Sequence, residues 1–177
     1  MEIVVVGMDH RWAPLEIREK VAFISRTIKE GIAALTAHSE VAETVILSTC
    51  NRSEIYVASE FAEKAVAILK DFYISMKTPE AETYLFAYRG IEAVRHLFRV
   101  VTGLDSMILG EDQILGQAKD ALEKAQRYRG GWESRSPPPS CKKPCAHPSA
   151  QGFPFLYHPL ITVATGMAIL FACLPPL

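Results

Sequence analysis

Two strand-like runs separated by four polar residues constrain this chain more than any other feature. Thr44-Val45-Ile46-Leu47-Ser48-Thr49 and Glu54-Ile55-Tyr56-Val57-Ala58 are rich in β-branched and aromatic residues, and only Cys50-Asn51-Arg52-Ser53 lies between them. A connection that short cannot carry a crossover, so the two runs turn back on each other as antiparallel neighbours. Cys50 therefore sits where the chain turns between two strands, at a sheet edge and not in the core.

The remaining pattern extends this unit in both directions. Glu2 to Met8 is a β-branched run, apolar throughout, as a strand covered on both faces is. Pro14 opens a helical segment over Leu15 to Phe23, and Ser25 is placed to cap a second helix through Ile28, Ile32 and Leu35. A further helix over Phe61 to Phe72 sets Ala65, Ile68, Leu69 and Phe72 on one face, and Thr83 to Tyr88 reads as a fourth strand. The order is β-α-β-β-α-β. It predicts an α/β (α+β) fold, the ferredoxin-like sandwich of a four-stranded antiparallel sheet with helices on one face. Two more helices follow. One spans Ile91 to Val101 and ends at Gly103; the other, capped by Asp112, runs through Ile114, Leu115, Ala118, Leu122 and Ala125.

Composition divides the chain near Arg127. Of 177 residues, 1–126 carry 14 Lys/Arg against 19 Asp/Glu, a balance of −5, and 127–177 carry 5 against 1, a balance of +4. The expected organisation is a folded domain over 1–126 and an irregular tail over 127–177, with Gly130-Gly131, Pro137-Pro138-Pro139 and an apolar stretch from Leu160 to Leu174. That stretch of 15 residues falls short of the roughly 20 that span a membrane, so membrane contact by the tail is not expected. Cys141, Cys145 and His147 lack a fourth ligand at sensible spacing, and no metal is expected there. A lone cysteine in the body, Cys50, and an N-terminus without a basic leader point to the cytoplasm. The acidic body argues against unspecific nucleic-acid binding through a broad basic face.

Few residues carry chemistry on sequence alone. A lone cysteine is by default a small buried hydrophobe. For Cys50 the polar turn, Arg52 two residues on, and the lack of a second body cysteine bring the nucleophile reading level with that default. His96 lies between Arg95 and Leu97 on a partly apolar helix, where a structural role and a functional one both fit. His10 reads as a solvated polar turn. The segment from Leu104 to Gln113 reads equally as a helix–helix connection or as a loop positioning polar groups on a ligand. No Gly-x-Gly-x-x-Gly follows a strand, so nothing is present to cradle a dinucleotide pyrophosphate.

Three blocks together resemble one family. These are Gly7-x-Asp9-His10-x-x-Ala13-Pro14-x-Glu16-x-Arg18-Glu19, Leu47-Ser48-Thr49-Cys50-Asn51-Arg52-Ser53-Glu54-Ile55-Tyr56, and Arg95-His96-Leu97-Phe98-Arg99 with Gly103-Leu104-Asp105-Ser106 and Leu109 to Gln117. Their order and spacing are similar to glutamyl-tRNA reductase, over about residues 2–126. The resemblance implies reduction of the glutamate on glutamyl-tRNA to glutamate-1-semialdehyde with NADPH, which opens tetrapyrrole synthesis. It implies that Cys50 attacks the aminoacyl ester to give a thioester, that Arg52 grips the glutamate carboxylate, and that His96 matches a histidine important for activity. The family's substrate-contacting positions fall on Thr49, Cys50, Asn51, Arg52, Ser106, Glu111, Asp112, Gln113 and Gln117. The family continues with a spinal helix, a Rossmann-type NADPH domain and a helical homodimerisation domain. These are expected to be missing here, leaving a truncated catalytic domain. Its alternative is a non-reducing tRNA- or partner-binding module with at most esterase activity.

Overall fold

The computed structural model describes residues 1–110 and 113–128. Strands β1 (Glu2–Asp9), β2 (Glu43–Ser48), β3 (Arg52–Ser59) and β4 (Phe86–Arg89) form one sheet in the order β2-β3-β1-β4, with every neighbouring pair antiparallel. Helices α1 (Leu15–Val21) and α2 (Ser25–Thr36) connect β1 to β2, and α3 (Ala62–Met76) connects β3 towards β4. This is the expected ferredoxin-like topology. Helices α4 (Gly90–Val101) and α5 (Gln113–Tyr128) follow it.

The continuous apolar run of β1 has a direct structural reason. Val4, Val6 and Met8 point into one core with Ile17, Val21, Ile32, Leu35, Leu69 and Tyr73 of α1, α2 and α3. Ile3 and Val5 point into a second core with Ala93, Leu97 and Val101 of α4 and Ile114, Ala118 and Ala121 of α5. The sheet is thus covered on both faces, the second by the two helices that follow the ferredoxin-like unit. Each such aliphatic side chain contributes about 1.5–3 kcal/mol on burial, and two cores hold β1 and β3 from both sides. Helix α5 also shields the edge strand β2, and its last turn reaches the first core through Ala125 and Tyr128. It runs through Tyr128, two residues beyond the boundary expected from composition.

Three local expectations shift. The fourth strand is Phe86–Arg89 and not Thr83–Tyr88, because Pro79 opens a 3-10 turn over Pro79–Tyr84 that consumes the first part of the segment. Ser25 is the first helical residue of α2 and not its cap; the Thr27 hydroxyl accepts the Ile24 N–H (2.9 Å) and donates to the Ile24 carbonyl (3.0 Å), closing the helix start. Strand β3 begins at Arg52, two residues before the expected Glu54. Period-2 alternation then sets Arg52, Glu54 and Tyr56 on one face of an inner strand.

Gly7 makes room for that face. Gly7 pairs with Glu54 across β1 and β3, and a Cβ at Gly7 would meet the Ser53 carbonyl oxygen at 2.5 Å, Glu54 Cα at 2.8 Å and Glu54 Cγ at 2.9 Å. Two of these are backbone atoms of the central strand, so neither can rotate away. Gly7→Ala is expected to destabilise the chain by about 2–3 kcal/mol, read as a lower urea midpoint with an unchanged slope. An unaltered midpoint would show that the strands separate freely.

Candidate active site

The turn between β2 and β3 is built by Thr49. Its hydroxyl accepts the backbone N–H groups of Asn51 (3.1 Å) and Arg52 (3.2 Å), and its own N–H donates to the Arg52 carbonyl (2.8 Å). A threonine side chain in this way replaces backbone partners that a four-residue connection cannot supply. Cys50 stands exposed on the turn. Two outside elements hold it: the His10 N–H donates to the Asn51 carbonyl (2.8 Å), and Arg18 Nη1 of α1 donates to the Cys50 carbonyl (2.9 Å) and to Asn51 Oδ1 (3.3 Å). His10 is therefore no solvated turn residue. It is half-buried against the cysteine turn, its Nδ1 is buried without a partner, and burial lowers its pKa, so it is neutral at pH 7.

A buried charged network adjoins the turn. Arg52 is 2% exposed and Glu54 is fully buried. Arg52 Nη1 donates to Glu54 Oε1 (2.8 Å) and Nη2 to the Asp105 carbonyl (2.7 Å). His96 Nε2 lies 3.0 Å from the same Glu54 oxygen, and the Tyr56 hydroxyl donates to Glu54 Oε2 (2.6 Å). The imidazole packs against the neighbouring rings of Phe86 and Tyr88 of β4, with ring centroids 5.0 and 5.2 Å away. Burial alone would raise the Glu54 pKa. The hydrogen bond from His96, the charge of Arg52 and the Tyr56 hydroxyl outweigh it and hold the carboxyl ionised below its ordinary value. Tyr56 shifts the opposite way, pushed well up by burial and by the neighbouring Glu54 charge.

A second set of ion pairs braces this one. Asp105 is buried at 6% exposure and is gripped by Arg99, with Nη2 at 2.8 Å, and by Arg11, with Nη1 at 3.3 Å. Arg11 also donates to the fully buried Asp9, through its backbone N–H at 2.9 Å and its guanidinium at 2.5 Å. For both aspartates burial works upwards and the arginines win, so both pKa values lie below ordinary. Asp9, Arg11, Asp105, Arg99, Arg52, Glu54 and His96 thus join the end of β1, the start of β3, α4 and the loop after it.

The structure brings Thr49, Cys50, Asn51 and Arg52 together and ties Arg52 to His96 through Glu54. Arg52 is engaged by Glu54 and by the Asp105 carbonyl; the guanidinium that contacts the Cys50 residue itself is that of Arg18. Ser106 is half-buried in the loop after α4, its N–H donating to the Gly103 carbonyl (3.3 Å), and the loop closes where the Gly110 N–H meets the same carbonyl (3.2 Å). Gly103 and Gly110 permit this with φ of 73° and 80°. Gln113 and Gln117 are exposed on the first turns of α5. Glu111 and Asp112, like the tail with Cys141, Cys145 and His147, lie outside the described residues.

Sequence reasoning singled out neither Arg18 nor Glu54. For Glu54 a signal existed: the alternation Arg52-x-Glu54-x-Tyr56 interleaved with Ile55 and Val57 marks a polar stripe on an otherwise apolar inner strand. For Arg18 none existed, because its role depends on how α1 packs. Among the described residues no group of three or more His, Cys, Asp or Glu could hold a metal. A dinucleotide does not fit them either: β1 feeds no glycine-rich turn, and an all-antiparallel sheet has no switch-point crevice at parallel strand ends. Nor is any described helix long and apolar enough to cross a membrane.

Fold and site define a split-βαβ domain that presents a surface thiol on a braced turn beside a buried ion-pair cluster. Comparison with known proteins gives this class its family. The profile of the Glutamyl-tRNAGlu reductase N-terminal domain matches residues 6–132. Glutamyl-tRNA reductase of Carboxydothermus hydrogenoformans is 45% identical over 132 residues, 73% of this chain and 29% of that protein. The enzyme of Aromatoleum aromaticum is 46% identical over 126 residues, covering 71% and 30%. The solved glutamyl-tRNA reductase from Methanopyrus kandleri superposes with a TM-score of 0.58 at 35% identity, over 72% of this chain and 29% of that one. The chain belongs to the glutamyl-tRNA reductase family of oxidoreductases, and its residues 6–132 correspond to the N-terminal domain. It spans about 30% of the length of the curated relatives it matches.

Proposed function

We propose that this domain, drawn at residues 1–126 from composition and carried on by α5 to Tyr128, is the acyl-accepting part of a glutamyl-tRNA reductase, acting in the cytoplasm on glutamyl-tRNA, with the residues beyond it a separate tail. The single observation that carries the reading is the exposed Cys50 on a turn held by Thr49 and Arg18, in a chain of this family. The Cys50 sulfur attacks the carbonyl carbon of the aminoacyl ester. The C–O bond to the terminal ribose breaks, the ribose oxygen leaves with a proton, and a thioester remains on the enzyme. A thioester is poorly stabilised by resonance and so accepts a hydride or water more readily than the ester it replaces.

The neighbouring residues then divide into contacting and positioning roles. Thr49, Asn51, Ser106, Gln113 and Gln117 are the proposed substrate contacts of the described residues, and Glu111 and Asp112 those outside them. Arg52 recognises the glutamate carboxylate through the guanidinium N–H groups that Glu54 and Asp105 leave free. His96 serves as a positioning residue: its imidazole is turned to Glu54, which in turn fixes Arg52. NADPH, which the family resemblance implies for the reduction, is assigned to chain beyond this domain, as is homodimerisation. No step here is routed through it.

The test follows the fate of the glutamyl group. Incubated with tRNA carrying labelled glutamate, the chain is expected to gain label that resists acid and is released by hydroxylamine, and slowly to free glutamate to water. Cys50→Ser is expected to lose both. The second reading, a binding module without chemistry, rests on the paired, buried state of Arg52 and His96, and wins where tRNA binds the chain without any acyl transfer.

A further inference from the structure

We infer that Arg18 is a positioning residue for the acyl transfer, the side chain that sets the backbone of the nucleophilic cysteine. The inference rests on the acyl-acceptor reading of Cys50. The turn satisfies itself only on one side. Thr49 gathers the N–H groups of Asn51 and Arg52, but the Cys50 carbonyl and the Asn51 side-chain oxygen find their donor in Arg18, 32 residues earlier in the chain. Helix α1 fixes that donor. Ile17 and Val21 anchor it in the core, which leaves Arg18 half-buried between them on the side of the turn.

The planar guanidinium bridges two acceptors on adjacent residues with one nitrogen, so it sets the Cys50 carbonyl and the Asn51 amide relative to each other. With the Cys50 carbonyl held, the remaining freedom of the thiol is rotation about its own side-chain bond. The arrangement is not cheap: Arg18 Nε is buried without an acceptor, a cost that an arginine free to extend into solvent avoids. A lysine ammonium carries a charge and donors enough for both acceptors, but its rotating, flexible stem does not fix their relative orientation as the planar guanidinium does.

The experiment compares the unaltered 177-residue chain with Arg18→Ala and Arg18→Lys, using labelled glutamyl-tRNA in single-turnover acylation of Cys50. Arg18→Ala is expected to slow acylation at saturating glutamyl-tRNA by about ten- to a hundredfold, with little change in the half-saturating concentration. Arg18→Lys is expected to fall between the two, and added methylguanidine to restore part of the rate to Arg18→Ala alone. Alkylation of Cys50 by iodoacetamide, which needs an accessible thiol but no fixed approach geometry, is expected to change less than the acylation rate. Where Arg18→Ala fails to fold, Arg18→Lys decides. Acylation of the folded variants at the unaltered rate overturns the inference and leaves the acyl-acceptor reading standing. Failure of the unaltered chain to acylate overturns that reading, and the inference with it.

Discussion

Replacing Glu54 with alanine is expected to cost about 3–5 kcal/mol of folding stability, more than any exchange of an exposed charge. The reason lies in what is left behind. Arg52 is always charged and 2% exposed, and without Glu54 its Nη1 has no counter-ion and no acceptor. The Tyr56 hydroxyl and the His96 ring lose their shared partner as well. Urea unfolding at pH 7 measures the loss, and two further variants show its origin. Breaking the exposed Lys20–Glu80 pair, 2.6 Å apart, with Lys20→Ala is expected to cost less than about 1 kcal/mol. The double exchange of Arg52→Met with Glu54→Leu is expected to cost less than Glu54→Ala alone, since it removes both buried charges. A double variant less stable than the single one would mean that packing and not the orphaned charge dominates.

Acidification is expected to unfold the chain through the same network. Asp9, Glu54 and Asp105 all have folded pKa values below their ordinary values of 3.8 to 4.5. A carboxyl that ionises more readily in the folded than in the unfolded state stabilises the fold above its unfolded pKa. As pH falls the unfolded chain takes up protons first, so the stabilisation is lost from the ordinary values down to the folded ones. Stability in urea is expected to hold between pH 7 and about 5 as far as these groups decide it. It should fall as the pH drops further from about 5 to 3. Glu54→Ala should be flatter over the same range because one of the three groups is gone. An unaltered chain with the same urea midpoint at pH 7 and pH 3 would contradict the assignment of these carboxylates as ionised members of the cluster.

Much of the fold was legible because hydrophobic period and connection length act locally. The antiparallel pairing of β2 with β3 followed from four intervening residues, and the two-sided burial of β1 from its unbroken apolar run. The fourth strand was misplaced because Thr83 and Tyr84 have strand-like side chains, while Pro79, five residues from Tyr84, starts the 3-10 turn that takes them. The cysteine turn was legible too, as a polar break between apolar strands. Its bracing was not. Arg18, Glu54 and Asp105 act across 32, 42 and 53 residues of sequence, on Cys50, His96 and Arg52 respectively, and no local pattern reports such pairings. Arg52 illustrates the difference. By position it reads as a charge beside the thiol; in the fold, strand β3 starts at Arg52 and turns its side chain towards Glu54.

Acceptance of the glutamyl group by Cys50, as proposed, is tested by mass measurement of the Cys50 peptide after a short, acid-quenched incubation with glutamyl-tRNA. A glutamyl adduct is expected, confined to that peptide, removed by hydroxylamine and absent from Cys50→Ser, with free tRNA released in equal amount. Bound glutamyl-tRNA with an unmodified Cys50, or an adduct that persists in Cys50→Ser, would contradict it.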